Sequence, residues 1–148
     1  MEQSTADYLI GIEKKITEAI ISFPQNNAKL SLDVKSVCDD EEFLLDINRT
    51  GIIQLSRCTF QERYNTTIGL IRLDLDKSKP HKNPDGEVIV GPHMHVYRKG
   101  YELRWAYLLQ NLSMDSCLFK NTDNLVTAFL DFCNYCNIIT VPSIQGSM

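Results

Sequence analysis

The sequence predicts an α+β domain, an antiparallel sheet of about five or six strands flanked by an N-terminal and a C-terminal helix. Three observations predict it. Apolar residues recur every three or four positions near both ends of the chain, they alternate with polar residues through the middle, and turn-forming clusters separate the alternating runs. The first helix is expected over residues 5 to 23, where Tyr8, Leu9, Ile12, Ile16, Ala19, Ile20 and Phe23 form an apolar stripe and Glu13, Lys14, Lys15, Thr17 and Glu18 a wet face. Ser4 or Thr5 supplies its cap and Pro24 its stop. Leu30, Leu32 and Val34 then alternate with polar neighbours, the acidic run Asp39-Asp40-Glu41-Glu42 reads as a hairpin tip, and Phe43, Leu45 and Ile47 alternate beyond it. Arg49-Thr50-Gly51 is a second turn, a third strand runs from Ile53 toward Tyr64, and Asn65-Thr66-Thr67 turns again. Residues 70 to 76 form the next strand. Residues 77 to 87 form a loop marked by Pro80, Pro84 and Asp85-Gly86. Residues 88 to 98 are extended, and 103 to 109 give one more strand. Asn121 or Thr122 caps the final helix, whose buried stripe is Leu125, Val126, Phe129, Leu130, Cys133 and Ile138. The two helices cover one face of the sheet, which leaves the other face to carry function.

With 148 residues the chain has the length of one domain, taken as 1 to 148, and can bury a sizeable core. Its 43% hydrophobic and 23% charged content excludes disorder as the main state. The net charge of −4 argues against indiscriminate nucleic-acid binding over the whole surface. The charge is uneven, however. From Arg72 to Arg104 there are seven Lys and Arg against five acids, so this span is positive while the rest of the chain is acidic. Such a patch fits selective phosphate contact, or else a solvated loop. The five cysteines, Cys38, Cys58, Cys117, Cys133 and Cys136, are odd in number and no signal-peptide pattern precedes them, so a reduced, cytoplasmic protein is expected. The Cys133-x-x-Cys136 pair has no second pair at zinc-ribbon spacing and reads as small buried thiols. No apolar run approaches the ~20 residues of a membrane helix, and no membrane partner is expected.

All three histidines, His81, His93 and His95, fall in one stretch. In residues 91 to 98, Pro92, Met94 and Val96 take the core side, and His93, His95 and Tyr97 the other. Alternate residues on a strand sit about 6–7 Å apart along one face. Arg72, Asp74 and Asp76 share the same alternation one loop earlier. Successive strands often pair, and pairing would bring Arg72, Asp74 and Asp76 onto the face of His93, His95 and Tyr97. The intervening loop could carry His81 and Lys82 inward.

Three readings of this constellation stand side by side. In the first, His93 and His95 are general acid and base for metal-independent cleavage of an RNA phosphodiester, suited to it by an imidazole pKa near neutrality. His81 is a third candidate and Asp74 orients a histidine. Arg72, Lys82, Arg98 and Arg104 contact phosphate, and Tyr97 or Trp105 stacks on a base. This reading needs neither cofactor nor metal. In the second, His93 and His95 bind a metal, with Asp74, Asp76 or His81 completing the shell. In the third, the polar face docks another protein, and Asp74 and Asp76 are ion-pair partners of Arg72 and Arg104. Asn83-Pro84-Asp85-Gly86 reads as a turn, and Gly91 and Gly100 as turns or bulges bracketing the histidine strand.

Arg72-Leu73-Asp74, Pro80-His81, Asn83-Pro84-Asp85-Gly86, Pro92-His93-Met94-His95-Val96-Tyr97, Gly100-Tyr101 and Trp105-Ala106 follow in order. This run resembles a family of small, functionally uncharacterised proteins of bacteria, their prophages and mobile elements. Asn137-Ile138 and Ile144-Gln145 are also similar. The resemblance implies a host or mobile-element accessory protein and brings no established activity. More loosely, a strand-borne H-x-H on a small α+β domain is similar to ribonuclease toxins of toxin–antitoxin pairs. Phage proteins of this size also include anti-CRISPR proteins. The partner expected is therefore RNA or, alternatively, a host or phage defence complex blocked by an acidic surface such as Asp39 to Glu42.

Overall fold

The computed structural model describes residues 1–50, 58–112 and 118–145. Alternation builds its centre. A strand β3 (Lys29–Ser36) pairs antiparallel with β4 (Glu42–Asn48), with Lys29 opposite Asn48 and Lys35 opposite Glu42, and the acidic run turns between them. The next strand, β5 (Thr59–Tyr64), lies against β4, and β6 (Ile68–Asp74) returns along β5 after a turn in which Asn65 takes φ 55°. Two further strands, β9 (His93–Val96) and β10 (Ala106–Leu108), extend this edge. At the opposite edge β1 (Lys14–Ile16) lines β3, and β11 (Ile138–Thr140) runs parallel to β1. The order across the sheet is β10-β9-β6-β5-β4-β3-β1-β11. Two small sheets accompany it. One pairs β2 (Ile20–Ser22) in parallel with β12 (Ser143–Gln145), and the other is a hairpin of β7 (Pro80–Lys82) and β8 (Val88–Val90).

The sequence pattern decides which face is dry. Leu32, Val34, Phe43, Leu45, Ile47, Phe60 and Leu73 are all at most 2% exposed. A helix α2 (Leu125–Tyr135) packs on this surface, with Phe129 and Phe132 at 5.9 and 5.8 Å from the Phe60 ring. Removing such side chains from water stabilises the fold by roughly 1.5–3 kcal/mol each. The shorter helix α1 (Gln3–Gly11) buries Ala6 and Leu9.

The α+β class and the two flanking helices match the sequence reading. The sheet is larger, with eight strands in place of five or six. The added strands come from segments whose apolar spacing was helical. The first helix stops at Gly11 instead of reaching residue 23, and it starts after Glu2 without a side-chain cap from Ser4 or Thr5. Lys14, placed on the wet face by periodicity, is fully buried: its Nζ donates to the Ile10 and Cys136 carbonyls at 2.8 and 2.7 Å and faces Glu62 at 3.5 Å. An extended segment between β3 and β11 gives those three partners to one ammonium. A continued helix would have turned it to solvent. The final helix begins at Leu125, capped by the Asn124 side chain accepting from the Thr127 N–H, so neither Asn121 nor Thr122 is the cap. Ile138 belongs to β11. Residues 77 to 87 are not wholly loop, since β7 lies within them. The extended run 88 to 98 breaks at Gly91, whose φ of 116° only glycine adopts without strain. The expected start of the third strand at Ile53 lies outside the described residues, as does Cys117.

Candidate metal centre

The two motif strands do pair, with Arg72 opposite His95 and Asp74 opposite His93. The hairpin of β7 and β8 folds over this end of the sheet and delivers His81. The three imidazoles then meet, with ring centroids 4.7 Å apart for His81 and His95, 4.9 Å for His93 and His95, and 5.6 Å for His81 and His93. One ring nitrogen from each lies within 4.8 Å of the others.

A backbone carbonyl fixes each ring. His93 Nδ1 lies 2.8 Å from the Gly91 oxygen, His95 Nδ1 2.7 Å from the Leu103 oxygen, and His81 Nε2 2.9 Å from the Arg104 oxygen. A carbonyl only accepts, so each of these nitrogens carries the proton. In a neutral ring the lone pair then falls on Nε2 of His93, Nε2 of His95 and Nδ1 of His81. For His95, Arg72 supports the assignment independently. Its NH2 group lies 3.3 Å from His95 Nε2, and a guanidinium only donates. Imidazole held at its far nitrogen by a carbonyl is the usual arrangement around a metal, because it orients the ring and fixes the tautomer.

The electrostatics favour a neutral His95. His93 and His95 are each 2% exposed, and His81 is partly exposed. Burial, and then the charge of Arg72, pull the His95 pKa down to about 3. Burial also lowers the Arg72 pKa. Asp74 stands beside the rings: its Oδ1 accepts from the Asp76 N–H, and its Oδ2 lies 3.9 Å from His93 Nε2. Three histidines with a carboxylate alongside match the donor types of catalytic zinc, iron and manganese sites. In a tetrahedral zinc site the ligand nitrogens sit about 3.4 Å apart. The present spacing is wider, so binding would draw the rings together and displace the Arg72 bond from His95.

The structure brings His81, His93, His95, Arg72 and Asp74 to one place. It does not leave His93 and His95 on an open face, because the hairpin and residues 97 to 105 cover them. Tyr97 is elsewhere: it is 6% exposed and donates its hydroxyl to the Met1 carbonyl, so it is no platform for a base. The buried Asp76 carboxylate accepts from the Ser78 N–H and Oγ and shapes the chain after β6. Lys82 is exposed on the hairpin, and Arg98 and Arg104 are exposed on the segment after β9.

Sequence reasoning missed Asn83. It reads as part of a turn, yet it is 5% exposed and its side chain both donates to the Ala106 carbonyl at 3.0 Å and accepts from the Ala106 N–H at 2.9 Å. This two-way bond fastens the hairpin to β10 and so sets where His81 sits. A signal was present, since Asn is the one side chain of that turn with both a donor and an acceptor. The carbonyls of Gly91, Leu103 and Arg104 have no sequence signal at all.

Among the described residues, no helix is long and apolar enough to cross a membrane. Comparison with the curated proteins and with the solved structures gives no match. A family profile does match, over residues 1–138, and so covers α1, the whole eight-stranded sheet apart from the last residues of β11, and every residue of the histidine cluster: the chain belongs to the Family of unknown function (DUF6978).

Proposed function

We propose that this protein is a metal-dependent phosphodiesterase whose metal is held by His81, His93 and His95. The observation that carries the reading is the cluster of three imidazoles, one ring nitrogen of each within 4.8 Å of the others and each ring held by a backbone carbonyl. A divalent cation there would polarise a phosphoryl oxygen and lower the pKa of bound water. Arg72, displaced from His95, offers its guanidinium to the phosphate. Asp74, with Oδ2 facing the rings, is placed to add a ligand oxygen or to accept a proton.

The metal reading is favoured over acid–base catalysis by the histidines themselves. An acid–base pair needs an imidazole that gains and loses a proton near neutrality. His95 is buried beside a guanidinium and its pKa is about 3. It stays neutral and presents a lone pair, as a ligand does. The positive span from Arg72 to Arg104 on an otherwise acidic chain supports a phosphate-bearing substrate.

The test is metal content and cleavage together. Purified protein should carry near-stoichiometric zinc, iron or manganese, or take it up on reconstitution. The His93→Ala/His95→Ala protein should carry none while keeping its circular dichroism spectrum. Cleavage of total bacterial RNA should be lost on EDTA treatment and restored by metal. Wild-type protein that takes up none of the three metals, or that cleaves equally well in EDTA, would refute the reading.

A further inference from the structure

We propose that residues 98 to 105 form a docking surface for single-stranded nucleic acid, which gives the metal centre its substrate class; the inference rests on the phosphodiesterase reading for its function, though not for binding itself. Four side chains carry it. The Arg98 guanidinium lies 4.4 Å over the Trp105 ring and 6.0 Å from Tyr101. The Arg104 guanidinium lies 5.6 Å from Tyr101, and Tyr101 meets Trp105 edge-on at 5.7 Å. Rings and guanidiniums alternate along a short stretch of chain. A single strand alternates in the same way, flat base and anionic phosphate, and such strands are held by aromatic and Arg faces together with cationic contact to the backbone.

The surface is built and held open. Tyr101 is 38% exposed, and Arg98, Lys99 and Arg104 are exposed. Arg98 and Arg104 face one acid, Glu102, within residues 98 to 105, while Lys99 pairs with Glu2 at 2.7 Å, on a chain whose net charge is −4. The turn is fixed by Gly100 at φ 87° and Glu102 at φ 51°, and by the Arg98 and Glu102 backbone bridge. Arg104 is held by its Nε and NH2 groups donating to the Tyr101 and Gly100 carbonyls. The location fits as well. The carbonyls of Leu103 and Arg104 hold His95 and His81, so a strand on this turn lies directly beside the rings. A duplex hides its base faces, and an acidic peptide has none. The ring component therefore selects an unpaired strand.

Trp105 is the single tryptophan of the chain, so its fluorescence reports on this surface directly. The experiment titrates EDTA-treated full-length protein, which cannot cleave by the proposed route, with a twelve-nucleotide oligouridylate at low salt. Saturable quenching is expected, with affinity falling steeply as salt rises, at a log–log slope of about −0.7 per phosphate contact. Tyr101→Ala should weaken binding about tenfold. Arg98→Ala/Arg104→Ala should weaken it further and flatten the salt dependence, with both variants checked for native circular dichroism. A duplex of equal length and polyglutamate should quench little. Absence of quenching, equal binding of duplex, equal quenching by polyglutamate, or wild-type affinity in the double variant would each overturn the proposal. Binding by a protein that takes up no metal would sink only the phosphodiesterase reading. A metal-loaded protein that binds no strand would sink only this one.

Discussion

Glu62 gives the sharpest stability prediction, and the perturbation is Glu62→Gln. The carboxylate is fully buried on β5, with Lys14 Nζ at 3.5 Å, and no hydrogen bond reaches either oxygen from the described residues. Burial pushes its pKa from 4.5 to about 7, and Lys14 offsets only part of that rise. Between those two pH values the native protein keeps a proton that the unfolded chain has lost. Stability from this group is therefore complete below about pH 4.5 and is lost as pH rises through about 7. At 1.36 kcal/mol per pH unit, the loss comes to about 3 kcal/mol. Glutamine keeps the shape and has no proton to release. The assay is urea unfolding of both proteins from pH 4.5 to pH 8.5, where the difference between them isolates position 62. The two should be nearly equal at the acid end, and the variant should be more stable by about 3 kcal/mol at the alkaline end. A difference that does not change with pH, or a wild type that is the more stable at pH 8.5, would refute the reasoning. It would mean that the ionised Lys14–Glu62 attraction exceeds its desolvation cost.

Further outcomes follow from the site and the thiols. Asn83→Ala removes the clamp between the hairpin and Ala106 and should weaken cation binding about tenfold to a hundredfold, as outer-shell changes do, measured by calorimetric titration with zinc. Arg72→Met removes a positive charge and a competing donor from His95. It should tighten cation binding while lowering the cleavage rate about a hundredfold, and weaker binding or an unchanged rate would count against Arg72 as the phosphate contact. Burial raises the thiol pKa of Cys58 to about 12 and those of Cys133 and Cys136 well above the ordinary range, whereas Cys38 is exposed. Brief iodoacetamide treatment of native protein should therefore label Cys38 and spare those three, as read by peptide mass spectrometry.

What was legible in the sequence was whatever one period expresses. The alternation of β3, β4 and β6, the acid-rich turn and the shared face of Arg72, Asp74, His93 and His95 once their strands pair all follow from a period of two. The segment from Ile12 to Ile20 was misread because isoleucines at four-residue spacing suit a helix, while Ile16 and Ile20 in two separate three-residue strands keep the same spacing. Only the tertiary partners of Lys14, namely the Cys136 carbonyl and Glu62, decide between them, and they stand far away in sequence. The site divides likewise. Alternation gives the side of the sheet that His93 and His95 take, but not what covers that side. Their burial comes from the hairpin and from residues 97 to 105, and the carbonyls that set the tautomers belong to backbone that no residue type marks.

The centre is divided between two bodies. His93 and His95 ride on the eight-stranded sheet, whereas His81 rides on a two-stranded hairpin that forms a sheet of its own. The hairpin is tied to the sheet by the paired Asn83–Ala106 bonds and by the ring of His81 itself. That makes the hairpin a door, with His81 as its bolt and a captured cation as the lock. Ligand exchange would be governed by how often the door swings, and a bound cation would have a residence time set by local opening, not by its affinity for any one ring. Amide protons of residues 80 to 90 should accordingly exchange more slowly once metal is bound, while those of β4 and β5, deep in the sheet, stay unchanged. Equal protection of the hairpin with and without metal would show that the door is already shut by Asn83 alone.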